Sequence, residues 1–565
     1  MYNPGSDFAG AYTFTGQITS PTRTANAVNT LADFLLGAVK SSVYAVPQPP
    51  TGRRNRNLGV FAQDDWKVSS RLTLNLGLRF EYESPMTIAN NMYSRLDPVT
   101  AKLLVAGKNA SNTLNLEGDK LNLAPRVGFA YSLTKNTVLR SAFGMFYSQI
   151  FSNLGGIVPY PGFTVTQRFQ DPGVGLAQPF RLSQGMPLIA TQSFNDPFFV
   201  ERQASPSNPL SGGAEFGEIN PLPYAMEWNF GVQHEFSGGV IVDTSYVGSR
   251  GLHLPLSLPF NQVPFNVVEQ TGFQGNALAT QNARPFPHVA GFSTFMHGGS
   301  SVYHSLQMRA SKRFNRNFGF TANYTRSKSI DDGSGLFSFS QPNGLDQGQF
   351  INLFRRLDRG LSQFDRPNIF AAALQFRTSG PKWLSGFEID PIFTTRSGLT
   401  DTVNQNNLNP AATQQRPSVT GTNSGGYAPQ TTSEGTAIRY LLAPSDPNFP
   451  FIPTGPLFTG SGATRKTVLP ASIGNLGRNT TRLPGETNLD LAVSRRYSIR
   501  ERLTLMVRAE AFNVLNHTNF NGPNTALTVN ADPKTGLAVF NSPSFGLITT
   551  SKSARFMQLV LRIQF

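Results

Sequence analysis

The chain has 565 residues, of which 14% are charged and 39% hydrophobic, with 52 Gly, 40 Pro and no Cys. The missing cysteines exclude disulfide scaffolds, zinc ribbons and thiol catalysis. Its 48 Lys+Arg against 33 Asp+Glu give a net charge of +15, but apart from Arg53-Arg54-Asn55-Arg56 the cations are dispersed singly or as adjacent pairs, which argues against the basic patch a nucleic-acid partner needs. No run of 18 apolar residues occurs, so no transmembrane helix is available, and residues 1–20 show no signal-peptide pattern.

Residues 1–56 read as N-terminal strands around a short insert. Gly10–Gly16 alternates, Ser41–Val46 is its expected partner, and Leu31–Gly37 is a helical or loop insert between them. A rhythm begins at Asn57. Asn57–Lys67 reads as a strand, Val68–Arg71 as a tight link, and Leu72–Tyr82 as a second strand. In that second strand Leu72, Leu74, Leu76, Leu78, Phe80 and Tyr82 form one apolar face, and Thr73, Asn75, Gly77, Arg79 and Glu81 form the other. Six repeats of period two exclude a helix.

The unit recurs along the chain. The pairs are Arg126–Tyr131 with Thr137–Tyr147, Met226–Glu235 with Val240–Gly248, and His304–Arg313 with Phe318–Lys328. Asn368–Phe376 with Phe387–Ser397 and Thr487–Tyr497 with Arg502–Asn513 follow, and the last strand, Arg555–Phe565, stands alone. In it Met557, Leu559, Leu561, Ile563 and Phe565 face one way, and Gln558, Val560, Arg562 and Gln564 the other. Such strands need oil on one side and water on the other, and their length fits the roughly 9–11 residues of a tilted membrane-crossing strand.

The connections decide the class. Short links lie inside each pair, and long polar segments separate the pairs, at 83–125, 148–225, 249–303, 329–367, 398–486 and 514–554. Soluble domains rarely repeat structureless loops of that length, whereas outer-membrane barrels combine short periplasmic turns with long extracellular loops. With Phe565 at the periplasmic end, every short link falls there and every long segment outside. The fold expected is all-β: a transmembrane antiparallel β-barrel of the outer-membrane type. It is expected to be partial, with about 14–16 strands if the N-terminal pair and hairpins hidden in long segments such as 398–486 join the thirteen clear ones. Residues 1–565 then form one barrel region, with 57–565 supplying barrel strands and extracellular loops. Asp401–Glu434 reads as a low-complexity polar loop that need not pack on anything.

Tyr12-Thr-Phe, Leu31-Ala-Asp-Phe-Leu-Leu-Gly37, Phe61-Ala-Gln-Asp-Asp-Trp-Lys67, Leu72-Thr-Leu-Asn-Leu-Gly-Leu-Arg79 and Leu123-Ala-Pro-Arg-Val-Gly128 carry a resemblance. Ser245-Tyr-Val-Gly-Ser-Arg-Gly251, Asn323–Asp332, Phe512-Asn-Val-Leu-Asn-His517 and the terminal strand extend it from end to end. In this order they resemble the barrel region of TonB-dependent outer-membrane transporters of the Oar-like group. The resemblance implies uptake of a bulky solute (oligosaccharide, siderophore or peptide), driven through the TonB system, with a plug in the lumen. The expected plug, TonB box and signal peptide are not visible, so the TonB system is an expected partner only if a plug and TonB box are supplied. Outer-membrane lipid, lipopolysaccharide and the barrel assembly machinery are further expected partners. A terminal Phe resembles the signal that barrels present to that machinery, which makes Leu559, Leu561, Ile563 and Phe565 the expected assembly signal. The alternative function is a structural or adhesive surface barrel without energised transport.

Enzyme and cofactor motifs fail on inspection. Gly460–Thr467 has Arg465 where a phosphate loop needs Gly, Gly173-Val-Gly175 lacks the third glycine of a dinucleotide site, and no GxSxG or HExxH occurs. Asp331-Asp332-Gly333 lacks the calcium-loop pattern and reads as a solvated turn. No catalytic, cofactor or metal residue is assigned, and no ligand-binding residue is named. Trp66, Tyr82 and Tyr147 are the expected aromatic girdle, and Arg79, Arg140, Arg309, Arg508 and Arg562 are candidates for a lumen-facing basic array.

Overall fold

Period-two alternation puts every second side chain on one side of an extended backbone, and a strand of this kind is stable only when neighbouring strands continue the same two faces. The computed structural model shows how far that continuity runs. It describes residues 11–565 except 22–26, 46–51, 98, 149–161, 164–165, 171–180, 186–195, 208, 211–218, 269–276, 316, 335–357, 407–414, 422–426, 433–434, 460–465, 471, 473 and 501–502. The rejected glycine motif at 173–175 and most of that at 460–467 lie outside the described residues.

Thirteen strands pair in chain order, each antiparallel to the next. They are β1 (Asn57–Lys67), β2 (Leu72–Glu83), β3 (Asn122–Ser132), β4 (Thr137–Tyr147), β5 (Tyr224–Phe236), β6 (Val240–Phe260) and β7 (Phe292–Asn315). Then follow β8 (Phe318–Asp331), β9 (Asn368–Arg377), β10 (Phe387–Arg396), β11 (Glu486–Arg500), β12 (Leu503–Phe512) and β13 (Phe556–Gln564). A two-residue strand, Gly360–Leu361, pairs beside β8 and makes fourteen in the sheet. The sheet is open: β1 and β13 are its edges and do not pair with each other. The β5–β6 turn is closed by Gly238 and Gly239 at φ +87° and +75°, a conformation costly for any residue with a Cβ.

Two strands far outrun the sequence reading, which stopped at Gly248 and began at His304. β6 has 21 residues and β7 has 24, so their paired ladder continues past a register shift between Gly251 and Leu254 to Phe260 opposite Phe292. The alternation of Leu252, Leu254, Leu256 and Leu258 was there to be read, but the prolines between them argue against a strand. The N-terminal pair forms as expected, with Ala11–Thr13 against Ser41–Ala45 and helix Ala27–Leu35 between them. It joins Thr166–Gln170 in a separate three-stranded sheet rather than the large one. Asp33 is buried there, because its carboxylate accepts the Thr19 N–H at 2.9 Å and the Thr19 hydroxyl at 2.7 Å.

The long segments are not structureless. One apolar cluster gathers Met86, Ile88, Leu96, Leu103, Val105 and Leu114 from 84–121 with Leu210 and Val289 from later segments. A second gathers Val403, Leu441, Phe451, Leu476, Leu527 and Phe545 from the last two long segments. The reading of Asp401–Glu434 as an unpacked loop is therefore corrected: Thr402, Val403, Gln415 and Arg416 are all buried. Hairpins do occur within 398–486, Ala428–Thr432 with Gly435–Arg439 and Leu457–Thr459 with Lys466–Leu469, but neither enters the large sheet. Phe449, Phe451 and Phe545 meet edge to face at centroid distances of 5.3 to 6.0 Å, a packing that removes apolar surface from water. Phe545→Ala is expected to cost this cluster about 3–5 kcal/mol. Limited proteolysis checks it: cleavage within 398–554 should accelerate while the strand content measured by circular dichroism stays.

Candidate functional site

The register assigns every strand residue to one of two walls. One carries Leu74, Leu76 and Leu78 opposite Val127 and Phe129, then Phe143, Trp228, Phe230 and Tyr246, and ends on Leu505, Val507, Leu559, Leu561 and Ile563. The other carries Asn75, Arg79, Glu81, Arg126, Arg140, Asn229, Glu227, Asp243, Arg309, Asn323, Glu388, Asp390, Arg508 and Glu510. The five arginines expected to form a basic array all lie on this polar wall, but the array is not basic. Arg79 pairs with Glu81, Arg377 with Glu388, and Arg508 with Glu510 at 2.6 Å and Asp390 at 3.6 Å. Both signs alternate, as on a wall wetted by solvent.

Within this wall a groove of about 720 Å³ runs across β1 to β5, lined by Asp65, Asn75, Arg126, Arg140, Phe146 and Glu227 among others. Asn75 donates to Asp65 at 2.6 Å, and the Arg126 guanidinium lies 4.7 Å from the Phe146 ring centroid. The Asp64-Asp65 pair splits: Asp65 faces the groove, while Asp64 is opposite Leu76 on the apolar wall, a few residues from the short turn. Trp66 is exposed on the apolar wall opposite Leu74, beside that turn. Tyr82 and Tyr147 sit at the other end, Tyr147 with its ring 5.4 Å from that of Tyr224. Leu559, Leu561, Ile563 and Phe565 are exposed along the free edge.

Above the sheet, four arginines bind the loop segments to one another. Arg478 is buried and pairs with Asp331, while its guanidinium also donates to the Asp358 carbonyl at 2.8 Å and the Ser334 hydroxyl at 3.1 Å. Arg416, equally buried, pairs with Asp358 at 2.6 Å. Burial pulls its guanidinium below the ordinary value and Asp358 pushes it back. Arg482 pairs with Asp365 at 2.8 Å, and Arg359 with Asp332 at 2.8 Å. Asp331-Asp332 is thus no solvated turn; Asp331 is buried and both carboxylates are occupied by arginines. Sequence reasoning missed this network because its partners lie 27 to 147 residues apart and no local spacing records them. Among the described residues no three His, Asp or Glu side chains come together in a way that would hold a metal.

A sheet with one lipid-compatible wall, one wetted wall, short turns at one end and packed loops at the other is the wall of an outer-membrane β-barrel. The chain belongs to the outer membrane beta barrel domain family, whose model matches residues 1–558, and its place is the bacterial outer membrane. Solved structures resemble it at low identity. The outer-membrane transporter YddB of Escherichia coli matches at 11% identity, over 92% of this chain and 50% of its own, with a TM-score of 0.40. The pyoverdine receptor FpvA of Pseudomonas aeruginosa matches at 12%, over 92% and 44%, with a TM-score of 0.39. The siderophore receptor PiuA of Acinetobacter baumannii matches at 10%, over 93% and 44%, with a TM-score of 0.37. The chain spans half or less of the length of each. No curated protein matches it.

Removing one member of the Arg478–Asp331 pair leaves a buried charge without its partner. Asp331→Ala is expected to cost about 3–5 kcal/mol, read as faster protease cleavage within 329–367 and 398–486. Asp331→Leu combined with Arg478→Met should recover most of that resistance.

Proposed function

We propose that the chain is the barrel part of an Oar-like TonB-dependent transporter of the outer membrane. It takes up a bulky polar solute, such as an oligosaccharide, a siderophore or a peptide. The observation that carries the reading is the continuous polar wall, in which carboxylates, guanidinium groups and amides line thirteen strands. Eight strands already fill a small barrel with side chains, so a wall this wide encloses water. The packed loops above it are where a solute is captured, and a plug bearing a TonB box gates the lumen. The girdle is Trp66 at the periplasmic interface with Tyr82 and Tyr147 at the outer one. Lipopolysaccharide surrounds the outer end, and the barrel assembly machinery receives the strand ending in Leu559, Leu561, Ile563 and Phe565. No catalysis, cofactor or nucleic acid belongs to this reading.

The test compares solutes left in the medium by the source bacterium, by a strain lacking this gene, and by a strain lacking TonB. Transport predicts that one solute class persists in both mutant cultures. If the gene deletion alters only surface attachment and loss of TonB has no matching effect, the barrel is structural or adhesive. For the terminus, Phe565→Asp is expected to deplete the protein from the outer membrane. A normal yield of heat-modifiable barrel on unboiled gels would sink that assignment.

A further inference from the structure

The apolar wall holds one group of charges that its own strands do not neutralise. On β5 to β9 this wall consists of the even-numbered residues, and among them there is no Asp or Glu. About eight to ten residues beyond the short turns, at the far margin of a membrane-crossing stretch, it nevertheless exposes Arg250 on β6 and Arg326 and Lys328 on β8. None of the three meets a carboxylate among the described residues; Arg326 donates only to the Asn368 side-chain oxygen, at 3.0 Å. Cations of the same wall at the short-turn end are handled differently. Lys312 lies 6.0 Å from the Phe318 centroid, and Arg495 lies over Phe387 and Tyr497 at 4.8 and 5.0 Å while donating to the Trp383 and Lys382 carbonyls.

An aromatic plate lies beside the outer three. Trp228, Gly248, His304 and Lys328 stand in one row across four strands. The Trp228 ring crosses Gly248 so closely that a Cβ there would fall 2.3 Å from it. His304 stacks on Tyr246 with centroids 6.1 Å apart, and its Nδ1 lies 2.7 Å from the Tyr246 hydroxyl oxygen. With strands about 4.8 Å apart and a rise of about 3.3 Å per residue, Lys328 stands roughly 12 Å from Arg250 and Arg326 roughly 16 Å from it.

We infer that this patch is a binding site for the phosphorylated sugar headgroup of an outer-leaflet glycolipid. The inference rests on the outer-membrane reading above. Cations at a hydrocarbon boundary need a counter-charge, and on the lipid side of that boundary the anions at hand are headgroup phosphates. Arg250, Arg326 and Lys328 take the phosphates, and the Trp228–His304–Tyr246 plate takes the apolar face of a sugar ring.

The test is made on the full chain, extracted from the outer membrane of a host in mild detergent, with glycolipid per chain counted by native mass spectrometry. The variant Arg250→Ser/Arg326→Ser/Lys328→Ser is compared with Arg71→Ser/Lys135→Ser/Lys382→Ser, which removes the same charge from exposed turns. Wild type and turn variant should carry equal glycolipid and the patch variant about a hundredfold less. Equal retention in the patch variant, equal loss in the turn variant, or a glycolipid-free wild type overturns the site and leaves the barrel standing. A wild-type chain that never enters the outer membrane overturns the barrel reading and the site together. If the patch variant does not assemble, Lys328→Ser alone carries the test, with about fivefold lower occupancy.

Discussion

Inside hydrocarbon a backbone N–H or C=O has no water to turn to, so each must find its partner on a neighbouring strand. Everything regular in this protein follows from that demand. The ladder runs unbroken in direction from β1 to β13, and side chains along it have only two places to go. The same demand marks the two edges: β1 and β13 expose almost their whole length, and both run toward the short-turn end. A closure that keeps every neighbour antiparallel therefore interposes an odd number of further strands between them.

Charge is treated in three ways, according to the dielectric each group meets. On the wetted wall opposite signs alternate along and across strands, in ion pairs that solvent weakens and that add little stability individually. In the loop assembly Arg416 and Arg478 are removed from water altogether. There each guanidinium is held by a carboxylate, and that of Arg478 by carbonyl and hydroxyl oxygens as well, the condition under which a buried ion survives. On the apolar wall the cations sit toward the two margins of the membrane-crossing stretch, Lys312 and Arg495 by the short turns and Arg250, Arg326 and Lys328 at the far margin, where a long side chain reaches the interface.

The barrel class was legible because membrane strands repeat one simple physical pattern. Leu72 to Tyr82 and Met557 to Phe565 show it without help from any neighbour, and the contrast of short links with long segments gave the topology. Thr137–Tyr147 has the same bounds in the sequence reading and in the fold. What escaped was whatever depends on distant partners. Arg478 meets Asp331 across 147 residues, Val403 meets Phe545 in a shared cluster, and neither contact leaves a periodic trace. Polar composition misled over 401–434 because Gln415 and Thr454 satisfy each other in the interior, at 2.6 Å, where composition alone suggests exposure. The N-terminal pair was readable as a pair, but not which sheet would take it.

The paired ladder of β6 and β7 has a mechanical meaning. Crossing the bilayer needs roughly 9–11 residues of each strand, and the pairing continues from Gly251 to Phe260. About ten further residues at 3.3 Å each give a ribbon on the order of 33 Å long. Two hydrogen-bonded strands resist bending far better than a loop of equal contour, so the ribbon holds segment 261–291 and the cluster in which Phe260 and Val289 pack beyond the membrane-crossing part. The ribbon is thus a strut that braces the packed loops, not a tip standing alone above them.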